Sequence, residues 1–166
     1  VAVERLETPT AGDIWMVELA RGAESRFTFD PSTDRTPIWS PDGSRMVFSS
    51  TRAGRMDLYQ KVSSGAGKDE LLLQTGTYKQ PTDWSRDGRF IVYREAAPKT
   101  KGDLWLLPLA GDRKPIPYLQ TEFTEDDGRF SPDGRWMAYS SDEAGRMEVY
   151  VQPIPPSGAK WQVSTT

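Results

Sequence analysis

The stretch that decides the fold is WSPDG at residues 39–43, because it returns twice along the chain. It recurs as WSRDG at residues 84–88 and as FSPDG at residues 130–134, at intervals of 45 and 46 residues. In such a turn, proline already has a suitable φ, aspartate bonds nearby backbone amides and glycine accepts a positive φ. Each copy therefore predicts a hairpin between two antiparallel strands. The aspartates are interpreted as turn formers rather than as a metal or carboxylate array.

A second motif, an acidic, an aliphatic and an aromatic residue in succession, recurs in phase with the first. It reads DIW at residues 13–15, DLY at 57–59, DLW at 103–105 and EVY at 148–150. Residues 39–61 also align without gaps on residues 130–152, with 12 of 23 positions identical. Two motifs that keep the same phase over four periods identify a repeat protein.

Each repeat predicts strands rather than helices. The apolar runs after the turns are short, rich in β-forming residues and bounded by turn residues, as in strands covered on both faces. A unit of about 45 residues with four short strands is typical of a β-propeller blade. We therefore predict an all-β chain: a partial propeller of about four blades of four antiparallel strands, the first blade lacking its inner strand. The remaining inner strands are expected at residues 36–40, 81–85 and 128–131, in blades at about 1–30, 31–75, 76–120 and 121–166 of a single segment.

Composition excludes several classes of function. The chain has 166 residues, a formal net charge of −3, and neither His nor Cys. It therefore cannot form a Ser-His-Asp triad, a thiol nucleophile, a thiolate zinc site or a disulfide. A slightly acidic chain with dispersed Lys and Arg is also a poor binder of nucleic acid. No apolar run is long enough to span a membrane, and no signal peptide is recognisable. We expect a protein that is not an enzyme, with no catalytic residues, metal ion, cofactor, nucleic-acid partner or membrane insertion.

These motifs resemble the WD40-like Pro-Asp repeat β-propeller family, typified by TolB. The segments that carry the resemblance are DIW at 13–15, RFTFD at 26–30, PIWSPDG at 37–43, DLW at 103–105 and GRFSPDG at 128–134. The resemblance covers essentially the whole chain and extends to the propeller regions that follow the kinase domain in some bacterial serine/threonine kinases. The chain has no kinase signature of its own. The family implies six to eight blades, more than this chain supplies, and a periplasmic or extracytoplasmic location.

We expect a non-catalytic propeller module that serves as a protein- or peptide-binding or sensing scaffold, as a segment of a larger propeller. Two alternatives stay open: an accessory propeller of a prolyl-oligopeptidase-type serine peptidase, and a carboxylate-based enzyme that acts on sugars. In a propeller, the loops that enter the inner strands and those between second and third strands emerge on one face, where binding is expected. The candidate contacts on this rim are Arg35, Arg52, Arg55, Tyr78, Lys79, Gln80, Glu125, Asp126, Asp127 and Arg146.

Some rim residues have structural interpretations as well. The acidic stretch at residues 122–127 could hold a hard cation, although a solvated loop is favoured. The loop arginines could instead pair with the recurring acidic residues Asp57 and Glu148.

The predicted arc of blades also bears on assembly. An open arc leaves an apolar sheet face exposed at each end. Two chains could cover these faces by joining head to tail about a two-fold axis. We therefore expect a homodimer that closes an eight-bladed ring.

Overall fold

The computed structural model describes residues 1–8, 11–97 and 100–164, without the side chain of Glu7. These residues form fifteen strands and no helix, so the all-β prediction is confirmed. The strands are β1 (Ala2–Thr8), β2 (Ala11–Glu18), β3 (Ala23–Arg26), β4 (Asp34–Trp39), β5 (Arg45–Ser50), β6 (Asp57–Val62), β7 (Glu70–Leu73), β8 (Lys79–Trp84), β9 (Phe90–Ala97), β10 (Lys101–Pro108), β11 (Ile116–Leu119), β12 (Glu125–Phe130), β13 (Trp136–Ser141), β14 (Glu148–Pro153) and β15 (Trp161–Gln162).

The strands build four sheets, each made of strands consecutive in sequence. The first sheet has the order β1-β2-β3, and the others have the orders β4-β5-β6-β7, β8-β9-β10-β11 and β12-β13-β14-β15. Every registered strand pair is antiparallel. The predicted partial propeller of about four blades is confirmed, and the first blade is one strand short.

The chain divides into two compact units, Val1–Pro81 and Thr82–Thr166, and each is described by itself. The predicted blade boundaries and the single segment over residues 1–166 stay predictions.

The three inner strands begin two or three residues earlier than predicted. They start at Asp34, Lys79 and Glu125. In two of them, β4 and β12, a β-bulge interrupts the pairing. The extra residue at each bulge has a left-handed backbone, with φ of 52° at Thr36 and at Asp127. A bulge adds a residue to one strand and breaks the regular side-chain alternation, so the sequence pattern shows only the part of the strand beyond it.

The turns after the inner strands adopt the predicted hairpin geometry. In the first, the Gly43 amide donates to the Ser40 carbonyl over 2.9 Å, with φ of 69° at Gly43. The Asp42 carboxylate accepts the Ser40 hydroxyl at 2.6 Å and the Ser44 amide at 3.0 Å. These bonds stabilise the anion and lower the pKa of Asp42 to about 2. Asp87 and Asp133 accept the equivalent bonds, which supports their interpretation as turn formers.

Each unit has its own apolar core. In residues 1–81, Ile14 and Phe27 of the first blade region pack with Met46, Phe48 and Tyr59 of the second. In residues 82–166, the core joins side chains of β9, β10 and β11 to side chains of β13 and β14. Its buried members are Val92, Leu104, Leu106, Tyr118, Met137, Tyr139 and Tyr150. The aliphatic residue of the second motif is buried in β2, β6 and β10, so the repeat supplies core as well as turns.

Candidate functional site

A charged residue occupies the first position of every described inner strand, and all three are buried. Asp34, Lys79 and Glu125 have exposed fractions of 0%, 0% and 2%. Lys79 and Glu125 are among the candidate rim contacts, and the structure buries both side chains within strands. Their charges therefore act first on neighbouring groups in the interior, and direct contact with a partner stays a prediction.

Lys79 forms a buried ion pair. Its Nζ lies 2.8 Å from Oδ1 of Asp57 and donates to the Thr77 carbonyl over 2.9 Å. Asp57, the acidic residue of the second motif, is 1% exposed and also accepts the Thr75 amide. The predicted arginine partner of Asp57 is therefore wrong, because a lysine from the next inner strand reaches it.

Arg52, another candidate rim contact, is bound by several groups of the protein. Its Nη2 lies 3.0 Å from both carboxylate oxygens of Asp34, and Nη1 pairs with Asp69. Nε donates to the Ser50 hydroxyl over 2.8 Å, and the guanidinium lies 4.6 Å above the Tyr59 ring. The side chain is only 15% exposed. Arg52 therefore connects Asp34 at the start of β4, Asp69 before β7 and the Tyr59 ring of β6. Each of its three nitrogen atoms already has an acceptor.

The other rim residues of the first unit lie nearer the solvent. Arg55 and Tyr78 are exposed, Gln80 is half-buried, and Arg35 lies 3.7 Å from a carboxylate oxygen of Glu4. That these residues contact a partner stays a prediction.

In the second unit, two buried carboxylates lie side by side. Gly102 and Thr124 form a parallel bridge, so the residues that follow them, Asp103 and Glu125, are neighbours in register. Glu125 Oε1 accepts the hydroxyl of Thr121, and Asp103 Oδ2 accepts the Gln120 amide at 3.2 Å. Oδ1 of Asp103 and Oε2 of Glu125 have no hydrogen-bond partner in the described part of the chain.

Two causes raise the pKa of Glu125. Burial is the larger, and it disfavours the charged form. The negative charges of Asp103 and Glu143 raise it further, against the opposing hydrogen bonds from Thr121. The carboxylates are therefore in an environment that disfavours two full negative charges.

Further acidic groups flank Glu125 in the sequence. Asp127 and Glu122 are exposed, and half-buried Asp126 lies 3.3 Å from Nε of Arg94. Burial raises the pKa of Asp126. We call Glu122, Glu125, Asp126 and Asp127 the acidic start of β12. The favoured solvated loop at residues 122–127 is wrong for its second half, because Glu125 to Asp127 belong to the strand.

The arginine predicted in the loop before β14 pairs as expected. Arg146 is exposed, and its Nε contacts Oε1 of buried Glu148. Among the described residues, no cluster of three or more acidic side chains is arranged to hold a metal ion. The described chain also contains no helix able to cross a membrane.

Sequence reasoning missed Asp34 and Asp103 as members of these clusters. Aligning the repeats provides the signal that finds them. Asp57 and Asp103 occupy one repeat position, and Lys79 and Glu125 occupy another, 46 residues apart in each case. The same two positions therefore hold a cation and an anion in one repeat and two anions in the next.

Comparison with known proteins supports the fold. Residues 2–105 match the family described as TolB beta propeller domain. The Tol-Pal system protein TolB of Helicobacter pylori (strain ATCC 700392 / 26695) is 28% identical over 130 residues, which cover 76% of this chain and 31% of that protein. The crystal structure of TolB from Acinetobacter baumannii has a TM-score of 0.81 at 20% identity, covering 99% of this chain and 40% of that one. A solved prolyl endopeptidase structure has a TM-score of 0.71 at 15% identity, covering 99% and 27%. The chain thus spans about a third of the length of the curated relative that it matches.

Proposed function

Because this chain belongs to the TolB beta propeller domain family, we propose that it is a non-catalytic propeller module that binds a basic segment of a protein or peptide. The exposed side chains of the acidic start of β12, Glu122 and Asp127, are the proposed contact surface. The observation that carries the proposal is the pair of buried carboxylates, Asp103 and Glu125, which have no cationic partner among the described residues; Glu125 lies within three residues of both exposed acids. The family resemblance supports an extracytoplasmic location for this activity.

Electrostatics favour this surface. Charges of one sign set in low-dielectric walls project a field that raises the local concentration of oppositely charged partners. Complementary charge also steers encounter and determines which partners bind. Asp127 and Glu122 present carboxylates to solvent on a rigid strand and the loop before it, where a partner can reach them.

The first unit offers a weaker field at the equivalent positions. There Arg52 and Lys61 together neutralise Asp34 and Asp69, and Lys79 neutralises Asp57. The fields of paired charges largely cancel at a distance. The rim residues of the first unit therefore attract a charged partner less strongly. The acidic start of β12 therefore accounts for binding better than the arginine- and tyrosine-containing rim does.

The proposal can be tested by fluorescence anisotropy with two labelled peptides of equal length, one rich in lysine and one rich in glutamate. We expect the lysine-rich peptide alone to bind, with an affinity that falls as salt is added. Asp127→Asn removes a charge but keeps a residue that tolerates the left-handed backbone. It should weaken binding about three-fold, the size of an exposed charge interaction.

The matched control is Asp112→Asn, which removes an exposed carboxylate from the β10–β11 turn. It should leave the affinity unchanged. Equal binding of the two peptides, or equal losses in Asp127→Asn and Asp112→Asn, would contradict the proposal.

The structural similarity to a prolyl endopeptidase supports a second candidate function, in which this chain is an accessory propeller beside a peptidase domain. Such a domain would have to supply the histidine that this chain does not contain. Turnover of a chromogenic prolyl peptide or glycoside by this chain, abolished by a carboxylate-to-amide substitution, would overturn the non-catalytic proposal.

An apolar surface on the last sheet supports a second copy as a partner. Trp161 and Val163 are 51% and 60% exposed, and Met147 and Val149 are also exposed. The repeat equivalent of Val149 is Leu104, which is buried against the next sheet. We therefore propose that a further sheet covers this surface, supplied by a second chain in the expected homodimeric ring. Light scattering that shows a stable monomer at micromolar concentration would contradict the homodimer.

A further inference from the structure

We propose that Asp103 and Glu125 share a single proton in the folded chain, and that loss of this proton increases the negative charge that the acidic start of β12 offers to a cationic partner. The second half of this inference rests on the proposed function, whereas the first half concerns the folded chain alone. The argument depends on the position, burial and surroundings of the two carboxylates.

The repeat shows what the pair lacks. At the equivalent positions in the preceding repeat, Asp57 and Lys79 form an ion pair with a 2.8 Å contact and no solvent exposure of the lysine. In the later repeat, Glu125 replaces the lysine, while Asp103 keeps the carboxylate. Ionising both of two adjacent, buried carboxylates that have no cation costs free energy, because desolvation and like-charge repulsion both disfavour the second negative charge. A shared proton removes one of the two charges, as in other buried carboxylate pairs.

The unpartnered oxygens provide a place for that proton. Oδ1 of Asp103 and Oε2 of Glu125 accept no hydrogen bond from the described residues, while the other oxygen of each carboxylate is engaged. A protonated carboxyl group has one O–H donor, so a proton on either free oxygen can be donated to the neighbouring carboxylate. The pair then carries one negative charge in total.

The groups around the pair favour the protonated form, because none of them brings an unpaired positive charge. Glu95 on β9 is the register partner of Asp103, and Ser141 on β13 is the register partner of Glu125. Tyr139 on β13 and Glu143 in the loop before β14 also interact electrostatically with Glu125, and Lys160 pairs with Glu143. These groups are carboxylates, a phenol and a hydroxyl, and the Gln120 amide bonds Asp103. The cations on neighbouring elements pair with other acids: Lys160 with Glu143, Arg94 with Asp126 and Lys101 with Asp142.

The sign of the pH dependence follows from the raised pKa. The folded chain binds the proton of Glu125 more tightly than the unfolded chain does, so protonated Glu125 stabilises the fold most below the ordinary pKa of glutamate. That contribution is lost as the pH rises through the raised pKa of Glu125. Replacing Glu125 with glutamine removes the titration and leaves a neutral group of the same shape.

The experiment compares urea unfolding midpoints of the wild type and Glu125→Gln at about pH 5 and about pH 8. We expect similar midpoints at the lower pH and a higher midpoint for Glu125→Gln at the higher pH. The control Glu122→Gln removes an exposed carboxylate three positions before Glu125 and should show no pH-dependent difference. Glu125→Lys, which re-creates the Lys79–Asp57 arrangement, should also raise the midpoint at the higher pH, and it keeps the test valid if the glutamine variant folds poorly.

The lysine-rich peptide separates the two halves of the inference. Its affinity for the wild type should rise between the two pH values, and its affinity for Glu125→Gln should not. A midpoint difference that is the same at both pH values overturns the shared proton, whatever the peptide does. A pH-dependent midpoint difference without peptide binding leaves the shared proton standing and refutes the proposed function. Stabilisation of the wild type but not of Glu125→Gln by added calcium chloride at the higher pH would overturn the proton in favour of a bound cation.

Discussion

Replacing Lys79 with methionine should destabilise the chain severely, because it leaves a buried carboxylate without its cation. Lys79 is completely buried and its Nζ lies 2.8 Å from Asp57, which is itself 1% exposed. After the substitution, the described bonding of that carboxylate is reduced to the Thr75 amide at 3.3 Å. The Thr77 carbonyl loses its 2.9 Å donor as well.

The magnitude follows from the cost of an unpaired buried charge. Breaking one member of a buried ion pair typically costs about 3–5 kcal/mol, since the remaining charge keeps its desolvation penalty without the compensating attraction. Native domains are stable by only about 5–15 kcal/mol, so Lys79→Met should remove a large share of the stability of its unit. Replacing both partners, as in Asp57→Asn/Lys79→Met, removes both charges. The double variant should therefore be at least about 2 kcal/mol more stable than the sum of the single effects predicts.

The assay is equilibrium urea unfolding at neutral pH, followed by tryptophan fluorescence for the wild type, both single variants and the double variant. An unchanged dependence on urea concentration would show that the variants unfold from similarly compact states. If the free energy of unfolding of Lys79→Met lay within about 0.5 kcal/mol of the wild-type value, a difference typical of surface substitutions, the buried ion pair would be refuted. Additive single effects would equally refute the coupling. In that case Lys79 would have to be reconsidered as an accessible contact.

Two further predictions concern packing and the turns. Gly128→Ala should destabilise the chain by about 1–3 kcal/mol, because a Cβ there would lie 2.9 Å from Cγ2 of Val92 and 3.2 Å from Cδ1 of Leu104. Gly76→Ala, which meets no atom within 4 Å, should be neutral or stabilising by less than about 1 kcal/mol in the same unfolding assay, and equal losses would contradict the close packing. The carboxyl carbons of Asp42, Asp87 and Asp133 should titrate at about 2 by NMR, since hydrogen bonds lower the pKa of each. Their stabilising contribution should be present above the ordinary pKa of aspartate and be lost as the pH falls towards 2, and titration near the ordinary value would contradict the turn bonds.

The repeat motifs account for how much of the fold could be predicted. The Asp-Gly turns define where strands reverse, because the required backbone geometry depends on residues adjacent in sequence. A strand follows each turn, as expected; β5 begins at Arg45, two residues after Gly43. The beginnings of the inner strands were missed, because bulges at Thr36 and Asp127 separate a polar first segment from the apolar segment that follows.

The candidate site was harder to predict than the fold. A charged residue near a glycine- or aspartate-rich segment has the composition of an exposed loop, and Lys79 and Glu125 were interpreted in that way. Their burial depends on partners distant in sequence: Asp57 lies 22 residues before Lys79, and Asp103 also lies 22 residues before Glu125. Alternation of apolar and polar residues reports which face of a strand is covered, but it cannot report a buried ion.

The spacing of WSPDG and its two relatives already determines a chain of β-blades with hairpins at known positions, since turn chemistry and strand propensity are local properties. Only the packing of the sheets decides which buried charges have a partner of opposite sign and which do not. Equivalent positions in successive repeats give a buried ion pair at Lys79 and an acidic pair at Glu125, because the energy of a buried charge depends on its nearest neighbours in space. That difference between two similar repeats is the feature that distinguishes the acidic start of β12 from the rest of the rim.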